Sequence, residues 1–128
     1  MPGAMIVHIV DDDESFRTAI GGLLRSMDYQ VALYGSAPEF LSSSRGIGPA
    51  CLLLDMRLPG LTGGEFQRRL VEMGIEIPVI MMSGDGAADT VAKAMEGGAA
   101  AFLSKPLSED ALIGAIETVL RGQCSPTR

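Results

Sequence analysis

Three adjacent aspartates follow the first apolar segment of the chain, in the stretch IVDDDES at residues 9–15. Carboxylates placed side by side repel one another and cannot all ionise cheaply without a nearby cation. Carboxylate oxygens are ligands that Mg²⁺ prefers, usually together with water and phosphate oxygens. Asp11, Asp12 and Asp13 therefore raise the hypothesis of a metal site.

Further polar residues stand where later apolar runs end. Asp55 follows one run, Ser83 ends the next, and Lys105 comes shortly after the last. A carboxylate nucleophile, a metal site, a lysine and a hydroxyl are the groups that phosphoryl transfer to an aspartate requires. If Asp55 joins Asp11 and Asp12 around a cation, this set could accept a phosphoryl group.

The elements that must bring these residues together alternate along the chain. Short apolar runs are typical of buried parallel strands, and segments with one apolar face at helical spacing separate them. Strands are predicted at 5–10, 31–34, 50–54, 78–82 and 99–103, and helices near 16–27, 36–41, 66–73, 87–96 and 109–120. Five such units predict a doubly wound α/β fold, which binds ligands at the carboxyl ends of its strands.

Several helix boundaries have local signals. Ser36 with Pro38, and Ser108, are typical N-terminal caps, and Gly97-Gly98 is typical of a helix end. Met27 and Met73 fall on the predicted apolar faces of their helices, and we interpret the eight methionines as core fillers. The stretch RGQCSPTR that begins at residue 121 is predicted to be a frayed tail.

Composition limits the possible functions. The chain has 128 residues, which favours a single domain over 1–128 with a core of about 5–121 and a tail or linker over 122–128. Its net charge is −6, which argues against direct binding of nucleic acid or of an anionic membrane. No signal peptide or membrane-spanning stretch is visible, and the two cysteines lack metal-site spacing. A reduced, cytoplasmic setting is expected.

Each polar residue also has a plain structural interpretation when it is taken alone. Asp13 could simply stabilise a helix start, Asp55 and Ser83 could cap turns, and Lys105 could be a solvated surface residue. His8, inside the first strand, is expected to be a packed core histidine. The coincidence of such residues at four strand ends favours a functional site.

The stretches IVDDDES, LLLDMRLPGLTGGEF, PVIMMSGDG and GAAAFLSKPLSEDAL occur in the order and spacing of a known family. The chain resembles the receiver domain of bacterial response regulators, the phosphoacceptor part of two-component signalling, over about residues 5–121. The resemblance implies a flavodoxin-like (CheY-like) parallel sheet of five strands in the order 2-1-3-4-5. It also implies a sensor histidine kinase as partner.

The resemblance assigns roles to individual residues. Asp55 matches the phosphorylated aspartate, and Asp11 and Asp12 match the acidic pair that holds Mg²⁺ together with Asp55 and the backbone carbonyl of Arg57. Ser83 and Lys105 match the groups that bind the phosphoryl oxygens. The resemblance also implies that Ser83 and Phe102 are switch residues and that the peptide bond between Lys105 and Pro106 is cis. Phe102 could equally be a core aromatic residue.

The resemblance also implies an output. DMRLPGLTGGEFQRRL and MMSGDG are most similar to receivers of the FixJ type, which normally precede a helix-turn-helix DNA-binding domain. We therefore expect control of transcription through a domain outside this chain, or a single-domain regulator that binds another protein. Phosphorylation would change the face formed by helix 4, strand 5 and helix 5, with possible dimerisation. The side chains of Arg57 and Asp85 flank the expected site.

Two other functions compete with this interpretation. A receiver that binds partners without phosphorylation would have lost a site residue, and none is lost here. A haloacid-dehalogenase-type phosphatase would use Asp11 and Asp13, but its late acidic motif should follow the lysine, whereas Asp85 precedes Lys105. Labelling of Asp55 or of Asp11 would discriminate between the phosphoacceptor and the phosphatase. The receiver itself is not expected to be an enzyme, although it would assist its own phosphorylation and dephosphorylation.

Overall fold

Strands and helices alternate through the computed structural model, which describes residues 6–43, 50–58, 61–84 and 88–124. The side chains of residues 57, 58, 61–63, 88, 120 and 122–124 lie outside that description. The strands of the main sheet are β1 (Ile6–Val10), β2 (Gln30–Tyr34), β3 (Ala50–Asp55), β4 (Val79–Ser83) and β5 (Ala101–Ser104). The helices are α1 (Glu14–Ser26), α2 (Ala37–Leu41), α3 (Gly63–Glu72), α4 (Ala88–Glu96) and α5 (Glu109–Cys124).

The main sheet is parallel throughout, with strand order β2-β1-β3-β4-β5. This confirms the predicted doubly wound fold. The order changes direction between β1 and β3, so the crevice at the carboxyl ends of these strands is the expected ligand site. A separate antiparallel ribbon, in which Arg57–Leu58 pairs with Leu61–Thr62, follows β3 and was not predicted.

Successive residues of each central strand point to opposite faces, and each face is covered by helices. On one face, the strand residues include Ile9, Leu53 and Ile80, and they pack with α1 and α5 through Ile20, Leu24, Leu112, Ile116 and Val119. On the other, Val10, Leu52 and Met81 pack with α2, α3 and α4 through Ala37, Phe40, Phe66, Leu70 and Ala94. We call these the α1/α5 face and the α2/α3/α4 face. Burial on both faces explains why the strands read as apolar runs.

The predicted serine caps are present. The Ser36 hydroxyl accepts a hydrogen bond from the Glu39 amide at the start of α2, with Pro38 in the first turn. The Ser108 hydroxyl accepts one from the Ala111 amide at the start of α5. These caps satisfy amide groups that have no partner within the helix, and so they fix where each helix begins.

The predicted ends of α1, α3 and α5 were wrong, and the interpretation of the methionines as core fillers was only partly right. Met27 lies beyond the end of α1 and is 40% exposed, and Met73 lies beyond the end of α3 and is 49% exposed. Met95 is also exposed, whereas Met81 and Met82 are buried, so the methionines are only partly core fillers. Helix α5 continues through Cys124, past the expected start of the tail; residues 125–128 lie outside the described part of the chain.

Candidate functional site

The carboxyl ends of β1 and β3 bring three carboxylates together. Asp11, Asp12 and Asp55 each offer an oxygen, and these oxygens all lie within 4.8 Å of one another. Asp11 and Asp55 are buried, and Asp12 is exposed. The register pairs Val10 with Leu54 and so places the ends of β1 and β3 side by side. Asp11, Asp12 and Asp55 therefore lie close together, as the sequence predicted. Three carboxylates at this spacing can serve as ligands for a hard divalent cation.

Both carboxylate oxygens of Asp11 have partners. Oδ1 accepts a hydrogen bond of 2.9 Å from the Asp13 amide, and Oδ2 accepts one of 2.8 Å from the ammonium group of Lys105. The Asp11 side chain has no exposed surface. A buried carboxylate is tolerated only when it is paired or hydrogen-bonded, and here it is both.

Lys105 reaches the cluster from the end of β5. Its Nζ atom lies 2.8 Å from Asp11 Oδ2, 3.4 Å from Asp55 Oδ2 and 4.3 Å from the centre of the Phe16 ring. Burial lowers the pKa of Lys105, but its hydrogen bond to Asp11 and the charges of Asp55 and Asp11 together raise it above the ordinary value. Lys105 is therefore a cation at neutral pH, and it bridges two of the three carboxylates.

Backbone hydrogen bonds hold the ends of the strands in place. The Lys105 amide donates to the Ser83 carbonyl at 2.8 Å, and the Met56 amide donates to the Met82 carbonyl at 2.9 Å. Ser83 is 1% exposed at the end of β4, which lies between the strands that carry Asp55 and Lys105. The bond between Lys105 and Pro106 is cis, as predicted.

Two residues near the site have a role that the sequence reasoning missed. Arg17 on α1 donates a hydrogen bond of 2.6 Å from Nη1 to the backbone carbonyl of Asp11, and the ring of Phe16 lies against Lys105. The helical spacing of α1 placed Phe16 on its inner face. No sequence signal pointed to the long reach of Arg17.

The structure separates Asp13 from the acidic cluster. Its side chain accepts a hydrogen bond of 3.1 Å from the Phe16 amide and caps α1, as its plain structural interpretation predicted. A phosphatase of the type considered above would need Asp13 in its site, so this geometry disfavours that function. Asp85 and the side chain of Arg57 lie outside the described residues, and so their proposed roles beside the site stay predictions.

Two other predicted residues lie away from the carboxylates. Phe102 on β5 is partly buried against the α2/α3/α4 face, a position compatible with either of its suggested roles. His8 is buried as expected, with Nδ1 2.9 Å from the Tyr34 hydroxyl and its ring against Phe40. His8 is thus a packed core residue.

Comparisons with known proteins agree with this geometry. The family model for the response regulator receiver domain matches residues 7–117. The response regulator protein TmoT of Ectopseudomonas mendocina is 40% identical over 116 residues, which are 91% of this chain and 53% of that protein. The transcriptional regulatory protein FixJ of Azorhizobium caulinodans is 36% identical over 120 residues, which are 94% of this chain and 57% of that protein. The chain thus spans about half the length of these curated relatives.

Solved structures show the same fold. The crystal structure of FixJ-N superimposes with a TM-score of 0.84 at 31% identity and covers both chains completely. The response regulator StyR gives a TM-score of 0.83 at 39% identity, over 93% of this chain and 60% of that one. The chain belongs to the response regulator receiver domain family. It is a receiver domain of a two-component response regulator, and its relatives include transcriptional regulators.

None of the helices in the described ranges combines the length and the apolar character that crossing a membrane would require.

Proposed function

We propose that Asp55 accepts a phosphoryl group from a partner histidine kinase and that this reaction requires Mg²⁺. The observation that carries the proposal is the bridge from Lys105 to Asp11 and Asp55 beside a cluster of three carboxylates. An aspartate that must act as a nucleophile needs nearby cations to stabilise charge on the transferred group. The fixed cation here is Lys105.

The residues present fit a divalent ion. Asp11, Asp12 and Asp55 would hold it, together with the backbone carbonyl of Arg57, which belongs to the ribbon after β3. When bound, Mg²⁺ would neutralise the carboxylates and draw the phosphoryl oxygens toward Asp55. Asp11 would orient the ion from a fixed position, because its Oδ1 is held by the Asp13 amide.

Ser83 and Lys105 would then bind the phosphoryl oxygens. Ser83 lies on the strand between those of Asp55 and Lys105, and its carbonyl is hydrogen-bonded to the Lys105 amide. A movement of either residue toward the new anion would pull on β4 and β5 together. Phe102 lies on β5 and would move with this strand. The protein would therefore populate more often a conformation in which the face of α4, β5 and α5 is active.

The effect of phosphorylation on transcription would be exerted by other proteins or domains. The active face could mediate homodimerisation, as well as contact with an effector that controls transcription. We propose that residues 1–128 form one receiver domain in the cytoplasm, that the chain itself does not contact nucleic acid, and that its chemistry is limited to assisting its own phosphorylation and dephosphorylation.

The test is to incubate the protein with acetyl phosphate and record its intact mass, with Mg²⁺ and with excess chelator. The proposal predicts the gain of one phosphoryl group that requires Mg²⁺ and is absent from the Asp55→Asn variant. The Asp13→Asn variant is a matched control, since Asp13 is an aspartate outside the cluster, and it should still be phosphorylated. A normally phosphorylated Asp55→Asn protein would refute the assignment.

If acetyl phosphate gives no product, a histidine kinase that phosphorylates related receivers should replace it. Phosphorylation by the kinase alone would support the proposal and show that the donor must be a protein. No reaction with either donor would favour a receiver that binds partners without phosphorylation.

A further inference from the structure

The backbone on both sides of Asp12 is held by hydrogen bonds. A peptide unit is planar, so a bond to its amide or its carbonyl restrains the orientation of the whole unit. The unit between Asp12 and Asp13 is held by the Asp13 amide, which donates to Asp11 Oδ1 at 2.9 Å. The unit between Asp11 and Asp12 is held at the Asp11 carbonyl, which accepts a hydrogen bond of 2.6 Å from Arg17 Nη1. These two planes set the direction in which the Asp12 side chain leaves the backbone.

Asp12 depends on its backbone more than the other two carboxylates of the cluster do. Asp11 and Asp55 are buried and contact Lys105, whereas Asp12 is exposed. An exposed side chain keeps rotamer freedom that a buried side chain loses. The position of the Asp12 oxygen, within 4.8 Å of the other two, is therefore sensitive to any rotation of the peptide units beside it.

Arg17 is well suited to hold one of these units. Its guanidinium is planar and charged, and a hydrogen bond from an ionised donor is shorter and stronger than one between neutral groups. The Arg17 amide also donates to the Asp13 carbonyl at 2.9 Å, close to the start of α1. Arg17 is thus bonded to the aspartate segment through both its backbone and its side chain.

The turn after β2 confines the guanidinium on a second side. A methyl group at Gly35 would lie only 3.4 Å from Arg17 Nη1, so the absence of a side chain there leaves room for the guanidinium. The Gly35 amide donates to Glu39 Oε1 at 2.7 Å, which ties this turn to α2. Arg17 therefore lies between the ends of β1 and β2 and has little freedom to leave the Asp11 carbonyl.

A positive charge beside a cation site can act by repulsion or by positioning a ligand. Lys105 lies 2.8 Å from Asp11 Oδ2 and so competes with a divalent ion for that oxygen. The bond from Arg17 is to a backbone oxygen and occupies no carboxylate oxygen of the cluster. Repulsion from a partly exposed charge is screened by solvent and salt. Residues that orient metal ligands typically change the affinity about 10–100-fold, so the positioning effect should outweigh the repulsion.

We propose that Arg17 is a positioning residue of the Mg²⁺ site. By holding the peptide unit between Asp11 and Asp12, it keeps the Asp12 carboxylate close to the other two ligands. This inference rests on the proposed function, since it assumes that the three carboxylates bind Mg²⁺. It gives α1 a part in organising the site, in addition to covering the sheet.

The test is to titrate Mg²⁺ into the 128-residue protein by calorimetry, without a phosphoryl donor. Arg17→Met should lower the Mg²⁺ affinity about tenfold, the low end of the range for residues that orient metal ligands. Arg17→Lys keeps the charge and one donor group, so it should restore part of the loss. Arg25→Met, the same replacement at an exposed position in the last turn of α1, should leave the affinity unchanged.

A second measurement separates positioning from a general loss of stability. Relaxation of ¹⁵N in the metal-free protein gives the order parameter of the Asp12 amide, which should be about 0.85, the value of rigid backbone. In Arg17→Met it should fall toward about 0.6, which is typical of flexible backbone, whereas Arg25→Met should keep the wild-type value. Lower stability of an otherwise unchanged native state would not alter this order parameter.

Three results would overturn the proposal. Unchanged Mg²⁺ affinity in Arg17→Met would show that the site does not need the guanidinium, and higher affinity would show that Arg17 acts through its charge. An unchanged order parameter would show that Arg17 does not hold Asp12. If Arg17→Met does not fold, Arg17→Lys replaces it, with a few-fold loss of affinity expected. A wild-type protein that does not bind Mg²⁺ would instead refute the metal site of the proposed function, and the order parameter would still decide whether Arg17 orients Asp12.

Discussion

The two faces of the sheet differ in how they are packed. The α1/α5 face joins two long helices to the sheet through an aliphatic layer that includes Leu53 and Ile116. The α2/α3/α4 face uses shorter helices and contains buried polar groups, His8 and Gln67, as well as an open groove between α3 and α4. Each face covers the same strands, so the difference comes from the helices and from single strand residues such as His8 on β1.

This contrast indicates that the two faces differ in how easily they rearrange. A closely packed aliphatic layer resists rearrangement, because interiors of native density transmit strain rather than absorb it. A layer with small residues, an unsatisfied amide and open space is more easily rearranged. Phe102 and α4, two parts of the proposed switch, belong to the second kind of layer, whereas its third part, α5, belongs to the first.

Adjacent leucines on β3 provide the sharpest comparison. Leu52 and Leu53 are both fully buried, one on each face. We expect either leucine-to-alanine substitution to cost roughly 2–5 kcal/mol of unfolding free energy. Leu53→Ala should cost the more, by about 1 kcal/mol, because the α2/α3/α4 face can collapse further around a cavity. Urea unfolding of both variants measures this, and equal costs would contradict the contrast between the faces.

Two polar side chains of the α2/α3/α4 face should respond in opposite directions. Tyr34→Phe removes the hydroxyl that pairs with His8 and should lower the unfolding free energy by about 1 kcal/mol. Gln67→Met removes an unsatisfied donor and should raise it by a similar, roughly 1 kcal/mol, amount. Thermal unfolding of both variants tests this, and a destabilised Gln67→Met protein would show that the amide already has a partner.

A pH-dependent effect is expected at Lys105, whose charge lies outside both apolar layers. Its raised pKa means that the ion pairs stabilise the fold fully below the ordinary lysine value, about 10.4, and that this contribution is lost as pH rises through the folded value above it. The stability difference between wild type and Lys105→Met should therefore stay constant from neutral pH up to about pH 10 and shrink at higher pH. Lys93→Met, the same replacement at an exposed position of α4, is the control.

The same variant should also bind Mg²⁺ more tightly. Lys105 competes for Asp11 Oδ2, and its removal leaves the carboxylates without their nearest cation. A few-fold gain in affinity by calorimetry is expected, since partial solvent exposure screens the interaction. Weaker binding by Lys105→Met would mean that the lysine organises the carboxylates rather than competing for them.

Most of the fold could be predicted from the sequence, because its signals are local. Buried strands appeared as apolar runs. Ser36 and Ser108 marked helix starts, because their hydroxyls can accept hydrogen bonds from the first amides of a helix. Met27 and Met73 were wrongly assigned to helices, because the helical spacing of apolar residues continues in the sequence beyond the residue where each helix ends. The ribbon of Arg57–Leu58 and Leu61–Thr62 was missed because two-residue strands have no period to detect.

The site residues were also accessible to sequence reasoning, since strand ends meet at one edge of a parallel sheet. What the sequence could not provide was the choice among neighbours. Asp13 caps α1 while Asp12 joins the cluster, although the two are adjacent and identical in type. The contact from Arg17 to the Asp11 carbonyl depends on the reach of a long side chain across space. Gln67 had no signal, because an unsatisfied amide is a property of packing.

The central claim is that Asp55, and not another carboxylate of the cluster, is the residue that carries the phosphoryl group. The most direct measurement is to reduce the phosphorylated protein with borohydride, which converts a phosphoaspartate into homoserine, and then to locate the change by peptide mass spectrometry. Homoserine is expected at position 55 alone. Homoserine at position 11 or 12 would contradict it and would make Asp55 a metal ligand only.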